Sequence, residues 1–240
     1  MSVNIKTAEE IEKVITPKTK AILLCSPSNP TGSVYSKNEL ESIARVIEKH
    51  SNIFVITDEI YEHINFVGKH ESMAQYDSIK ERVVVVNGVS KAYAMTGWRI
   101  GYIGAPLWMA KACTKLQGQF MTGPATIAQK AAVAALNSDQ SCVSEMNKAF
   151  LRRRDLIIGL LKDIDGIKPS VPDGAFYVFP EASSYYGKSD GKRKTCKGEE
   201  NKAQVLETNT IAAPCCSGWR YQKGYTTHFK GSRYQCSRRK

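Results

Sequence analysis

Apolar residues in the first 187 positions follow two alternating patterns. Short runs rich in aliphatic and β-branched residues, at 21–25, 53–57, 83–87 and 100–104, predict strands. Longer stretches with apolar residues at helical spacing, at 37–50, 106–119, 125–136 and 143–163, predict helices. Ser36 followed by Glu39 has the order of a helix start, and Asn52 marks the turn into the next strand. Short strands alternating with amphipathic helices build an α/β fold, a mostly parallel sheet flanked by helices. Pro172-Asp173-Gly174 is a turn signal, and the apolar run 175–179 after it predicts a further strand. Beyond Gly187 the periodicity fails, aliphatic residues become sparse, and a poorly packed segment is expected.

Composition sharpens that boundary. The 240 residues carry 34 Lys and Arg against 23 Asp and Glu, yet residues 188–240 alone hold 13 of the basic and 4 of the acidic residues. The first 187 residues are thus left with 21 basic against 19 acidic, so the basic balance belongs to the tail and gives the main body no polyanionic partner. No nucleic-acid partner is expected on this count; a tail acting as a polyanion-binding arm is the rival. No apolar run approaches the roughly 20 residues of a membrane span. The first residues, Met-Ser-Val-Asn-Ile-Lys-Thr, lack a basic region followed by an apolar stretch, and a cytoplasmic protein is expected. Seven cysteines, an odd number without a CxxC pair, suit a reducing compartment. Cys196, Cys215, Cys216, His228 and Cys236 fit no zinc-finger spacing, and no metal is expected.

Four motifs carry the chemistry, each at the end of a predicted strand or beside a turn. Ser26-Pro27-Ser28-Asn29-Pro30-Thr31-Gly32 follows the first strand, and Thr57-Asp58-Glu59-Ile60-Tyr61 ends the second. Asn87-Gly88-Val89-Ser90-Lys91 ends the third and runs on through Ala92-Tyr93-Ala94-Met95-Thr96-Gly97-Trp98-Arg99 into the fourth. Asp173-Gly174-Ala175-Phe176-Tyr177 comes last. Polar groups at the carboxyl ends of parallel strands open into one crevice, where such sheets place ligands. Singly, each motif reads as a stiff loop, a solvated acidic turn or a surface lysine; together and in this order they define a site.

The order and spacing resemble the fold-type I, pyridoxal-phosphate (PLP) dependent aminotransferases of class I and II, nearest to the prokaryotic-type aspartate and prephenate enzymes. The resemblance implies an incomplete PLP-transferase large domain over residues 1–140, a linking helix and the start of a small α+β domain over 141–187, and a basic tail over 188–240. It implies PLP as cofactor and transfer of an amino group from an L-amino acid, aspartate above all, to a 2-oxo acid such as 2-oxoglutarate, by a homodimer. Another PLP reaction, such as β-elimination, is the chemical rival, and an inactive truncated remnant is the other.

By the same resemblance Lys91 holds the cofactor and moves the proton. Asp58 faces the pyridine nitrogen, and Tyr61 with Asn29 bonds the 3′ oxygen, Asn29 also lying on the substrate side. Arg99 grips the phosphate, with Ser90 a neighbour. Gly88 stands where some class members have serine. Trp98, Met95 and Tyr177 are expected to pack, and His63 and His70 to lie on the surface. The relatives' glycine-rich phosphate helix, their ring-stacking aromatic and the arginine that binds the substrate carboxylate have no counterpart; Arg220 and Arg233 lack the surrounding pattern. A truncated enzyme ending in a shifted reading frame or a fused end is therefore expected.

Overall fold

The computed structural model describes residues 6–186 together with two strands at Tyr225–Lys230 and Arg233–Arg238. Helix α1 (Ala8–Val14) opens the described chain, capped by Thr7, whose side chain takes the Glu10 N–H while the Glu10 carboxylate takes the Thr7 N–H. Its seven residues are too few to show a period, so only the Thr-x-x-Glu signature marks it in the sequence.

Strand β1 (Ala21–Cys25) pairs in parallel with β2 (Phe54–Asp58), from Ala21 opposite Phe54 to Cys25 opposite Asp58. The crossover between them is α2 (Lys37–Glu48), opened by the Ser36 and Glu39 capping box that the sequence predicts. Its buried residues Leu40, Ile43, Ala44 and Ile47 recur at three- and four-residue spacing and form one stripe. That stripe packs on Leu24, Val55, Met73, Ile79 and Val83. Fully burying Ile43 and Ile47 stabilises the fold by about 1.5–3 kcal/mol each.

Strand β3 (Val83–Gly88) continues the parallel order beside β2, and β4 (Gly101–Gly104) closes the sheet antiparallel to β3. The order β1-β2-β3-β4 leaves Cys25, Asp58 and Gly88 at the same edge, with Gly88 opposite Gly101. A mostly parallel sheet is therefore present, and predicted and observed strands agree within a residue at their ends. Helices α3 (Leu107–Phe120), α4 (Thr126–Asn137) and α5 (Ser141–Lys162) follow. Helix α5 buries Val143, Phe150, Ile158 and Leu161, whereas α3 buries none of its residues. No helix among the described residues is long and apolar enough to cross a membrane.

The strand expected at 175–179 does not form. Ala175 takes a left-handed φ of 56°, which breaks the extended run, and only isolated bridges, Asn65 with Gly174 and Lys168 with Glu181, remain. The turn instead ties two loops together. Asp173 and Gly174 donate their N–H groups to the Gly32 carbonyl, and Ala175 donates to that of Ile64. A Cβ on Gly32, whose φ is +71°, would stand 2.2 Å from the Pro172 Cβ, and one on Gly174 would stand 2.7 Å from the Pro27 Cβ. Strands β5 (Tyr225–Lys230) and β6 (Arg233–Arg238) form a separate antiparallel hairpin. The rest of 188–240 lies outside the described residues, and with it the expectations for a tail zinc site and for Arg220.

Candidate active site

Three strand ends and one distant turn converge. After β1 the loop through Asn29 is closed by Ser28 donating its N–H to the Ser33 carbonyl and Gly32 to that of Ser28, at 2.9 and 2.8 Å. Asp58 ends β2 half-buried, its Oδ1 accepting the N–H of Ile60 at 3.1 Å. Lys91 sits three residues beyond β3 in a turn pegged on either side by the buried Val89 and Ala92. Gly88 precedes it where the backbone of Ile100 and Gly101 would lie 3.1 Å from any Cβ, so a serine there would crowd the facing strand.

Tyr61 is the hub. It is 2 % exposed and packs edge-on against Phe176 and Tyr177, at 5.3 and 5.7 Å between ring centroids. The Lys91 amine lies 5.7 Å from the Tyr61 ring centre and 5.6 Å from that of Phe176. Among the described residues no carboxylate forms an ion pair with that amine. The hydroxyls of Tyr61 and Tyr177 are 2.6 Å apart, and Asn29 Nδ2 donates to the Tyr177 hydroxyl at 3.4 Å. Burial, then the bond to Tyr177, pushes the Tyr61 phenol far above its ordinary range, so it keeps its proton.

Of the residues predicted from sequence, Lys91, Tyr61 and Asn29 are thus brought together, with Asp58 on the same sheet edge. Ser90 is half-buried beside Lys91. Arg99 is exposed, with a left-handed φ of 53°, and donates from Nη1 to the Thr96 carbonyl at 3.0 Å. It stands two residues before Gly101, the partner of Gly88, so it shares the edge without a hydrogen bond to the Tyr61 cluster.

Several expectations are corrected. Tyr177 does more than pack, since its hydroxyl links Tyr61 and Asn29. Phe176, which the sequence places in the last motif without a role of its own, faces the lysine. Trp98 is 43 % exposed. His70 is not a surface residue: its Nε2 lies 2.9 Å from Glu59 Oε2. Glu59, 3 % exposed, also accepts from Thr57 and Ser72, so it is a buried acid and not half of a solvated pair with Asp58. Glu59, Glu62 and His70 offer ligand atoms within 4.8 Å of one another, a proximity that their sequence spacing does not show.

Comparison with known proteins bears on this arrangement. The pattern of aminotransferase class I and II matches residues 3–220. A bifunctional aspartate aminotransferase and glutamate/aspartate-prephenate aminotransferase of Petunia hybrida is 46% identical over 206 residues, 81% of this chain and 43% of its own length. An aspartate/prephenate aminotransferase of Nitrosomonas europaea is 39% identical over 230 residues, 95% of this chain and 55% of its own. The crystal structure of the aspartate aminotransferase from Rhizobium meliloti superposes with a TM-score of 0.77 at 41% identity, covering 85% of this chain and 52% of that one. The chain belongs to the aminotransferase class I and II family. It spans about half the length of the relatives it matches, and the family match runs past Gly187, where the legible motifs stop.

Proposed function

We propose that this chain carries the cofactor-binding face of a PLP-dependent aminotransferase, which moves an amino group from an L-amino acid, aspartate foremost, to a 2-oxo acid such as 2-oxoglutarate. The observation that carries this reading is the convergence of Lys91, Tyr61 and Asn29, with Asp58, at one edge of the sheet. The donor set fits the cofactor. The Lys91 amine lies by two ring faces and, among the described residues, forms no ion pair with a carboxylate, which suits condensation with an aldehyde. Asp58 has one oxygen engaged by a backbone N–H and can place negative charge against a protonated ring nitrogen. Tyr61 stays a neutral donor, suited to an anionic ring oxygen. Arg99 offers a planar fork for a phosphate.

When bound, PLP supplies the electron sink for cleavage at the substrate α-carbon. The chain's own residues then divide the work. Lys91 Nζ would anchor the group and supply the amine that takes up and returns a proton at the substrate α-carbon. Asp58 would keep a ring nitrogen protonated through its charge. Tyr61 and Asn29 would donate to the 3′ oxygen, and Arg99, with Ser90 beside it, would hold the phosphate. The same reading includes a cytoplasmic homodimer.

The test is to add PLP to the purified chain. A visible band in 1:1 stoichiometry, absent in Lys91→Ala, and glutamate formed from aspartate and 2-oxoglutarate are the expected results; absence of the band overturns the assignment.

A further inference from the structure

We infer that Tyr177 is a positioning residue: its hydroxyl holds the Tyr61 hydroxyl and the Asn29 amide in one hydrogen-bonded line in front of Lys91. The inference rests on the reading of Tyr61 and Asn29 as donors to the cofactor, and it adds a residue from a turn more than a hundred positions away.

The geometry sets the roles. The O···O separation of 2.6 Å between Tyr61 and Tyr177 is a strong hydroxyl pair, and the 3.4 Å contact from Asn29 Nδ2 is its weaker extension. Each phenol has one proton and two lone pairs. Two phenols bonded to each other use one proton between them, so one proton remains for an acceptor outside the pair, whichever ring donates. Tyr61 is buried and depends on this partner to set its hydroxyl torsion. With Tyr177 fixed, the remaining donor capacity of the line is directed and not free to rotate.

Packing alone does not require this hydroxyl. The Tyr61 and Tyr177 rings meet at 81°, and Tyr177 also lies tilted at 46° against Phe176, contacts that phenylalanine would preserve. What fixes Tyr177 lies upstream. Gly174 is pressed against Pro27 in the same loop as Asn29, and Ala175 turns the chain with its left-handed φ. The turn therefore carries Tyr177 and the Asn29 loop as one unit. Hydrogen bonds in such a chain strengthen one another, so losing the Tyr177 hydroxyl weakens what Tyr61 gives to its acceptor.

The test compares Tyr177→Phe, Tyr61→Phe and the double variant, each loaded with PLP. The pH midpoint at which the lysine-bound cofactor changes absorbance is the readout. Tyr177→Phe is expected to move it upward by about half to one pH unit, the scale of one hydrogen bond. The double variant is expected to move it no further than Tyr61→Phe alone, because Tyr177 acts through Tyr61. An unmoved midpoint, or a double variant whose shift is the sum of the singles, overturns the proposal. Should the unsubstituted chain show no cofactor band, the aminotransferase reading fails separately, and fluorine NMR of fluorotyrosine-labelled protein decides this one. The Tyr61 resonance, identified by its loss in Tyr61→Phe, must shift in Tyr177→Phe; a resonance left in place overturns it. If Tyr177→Phe does not fold, a fluorinated tyrosine at 177 keeps ring and hydroxyl but donates more strongly, and must move the same resonance.

Discussion

Tyr61 shows how a single residue couples the site to stability. Burial and the Tyr177 bond favour its neutral form, so the folded state keeps a proton that the unfolded chain releases near the ordinary phenol value of 10.0. The sign follows: this contribution is complete below pH 10.0 and is lost progressively as pH rises above it. Chemical denaturation at about pH 8 and about pH 11 should therefore show a steeper alkaline loss for the natural chain than for Tyr61→Phe. Equal losses would show that Tyr61 is not the group responsible. The neighbouring acids illustrate the same dependence on surroundings. Asp58 is half-buried at the strand end with Oδ1 accepting the Ile60 N–H, whereas Glu59 turns inward to Thr57, His70 and Ser72.

Between elements, Arg82 joins α2 to the strands. Its Nη1 donates to the carbonyls of His50, Ile53 and Ile47 at 2.7, 3.1 and 3.3 Å, serving backbone oxygens that the helix end leaves open. Replacing it with alanine should cost about 1.5–3 kcal/mol, the range for hydrogen bonds to a charged group. Urea unfolding measures this, and a change under about 0.5 kcal/mol would place Arg82 among ordinary surface residues. The turn at 172–175 works at the same scale, because its bonds to Gly32 and Ile64 bring Phe176 and Tyr177 over the β2 end.

At the scale of the whole molecule, the uneven burial stands out. Helix α3 buries nothing, with Leu107 70 % and Phe120 82 % exposed, and β4 is exposed along its length. Large apolar side chains exposed in this number are unfavourable in water. The chain should therefore bind a hydrophobic dye and self-associate as its concentration rises. Leu107→Lys with Phe120→Lys should reduce both while leaving the α2 core intact. Light scattering that reports a monomer at every concentration, without dye uptake, would contradict this expectation.

The sequence by itself determined β1 to β4 and the α2 cap, and it singled out Lys91, Asp58, Tyr61 and Asn29 as candidates. These rest on local rules, namely side-chain period, cap chemistry and motif order, that short windows carry. Its periodicity passed over α1, which only a Thr-x-x-Glu cap signature marks, and it misjudged 175–179, where one left-handed residue breaks an apolar run. Only the tertiary structure placed Tyr177 against Tyr61 and Asn29, and His70 against Glu59. Those contacts join residues on separate segments, and the Tyr61–Tyr177 pair spans 116 positions. They are set by how a distant turn packs on two loops, a relation that no window of the chain contains.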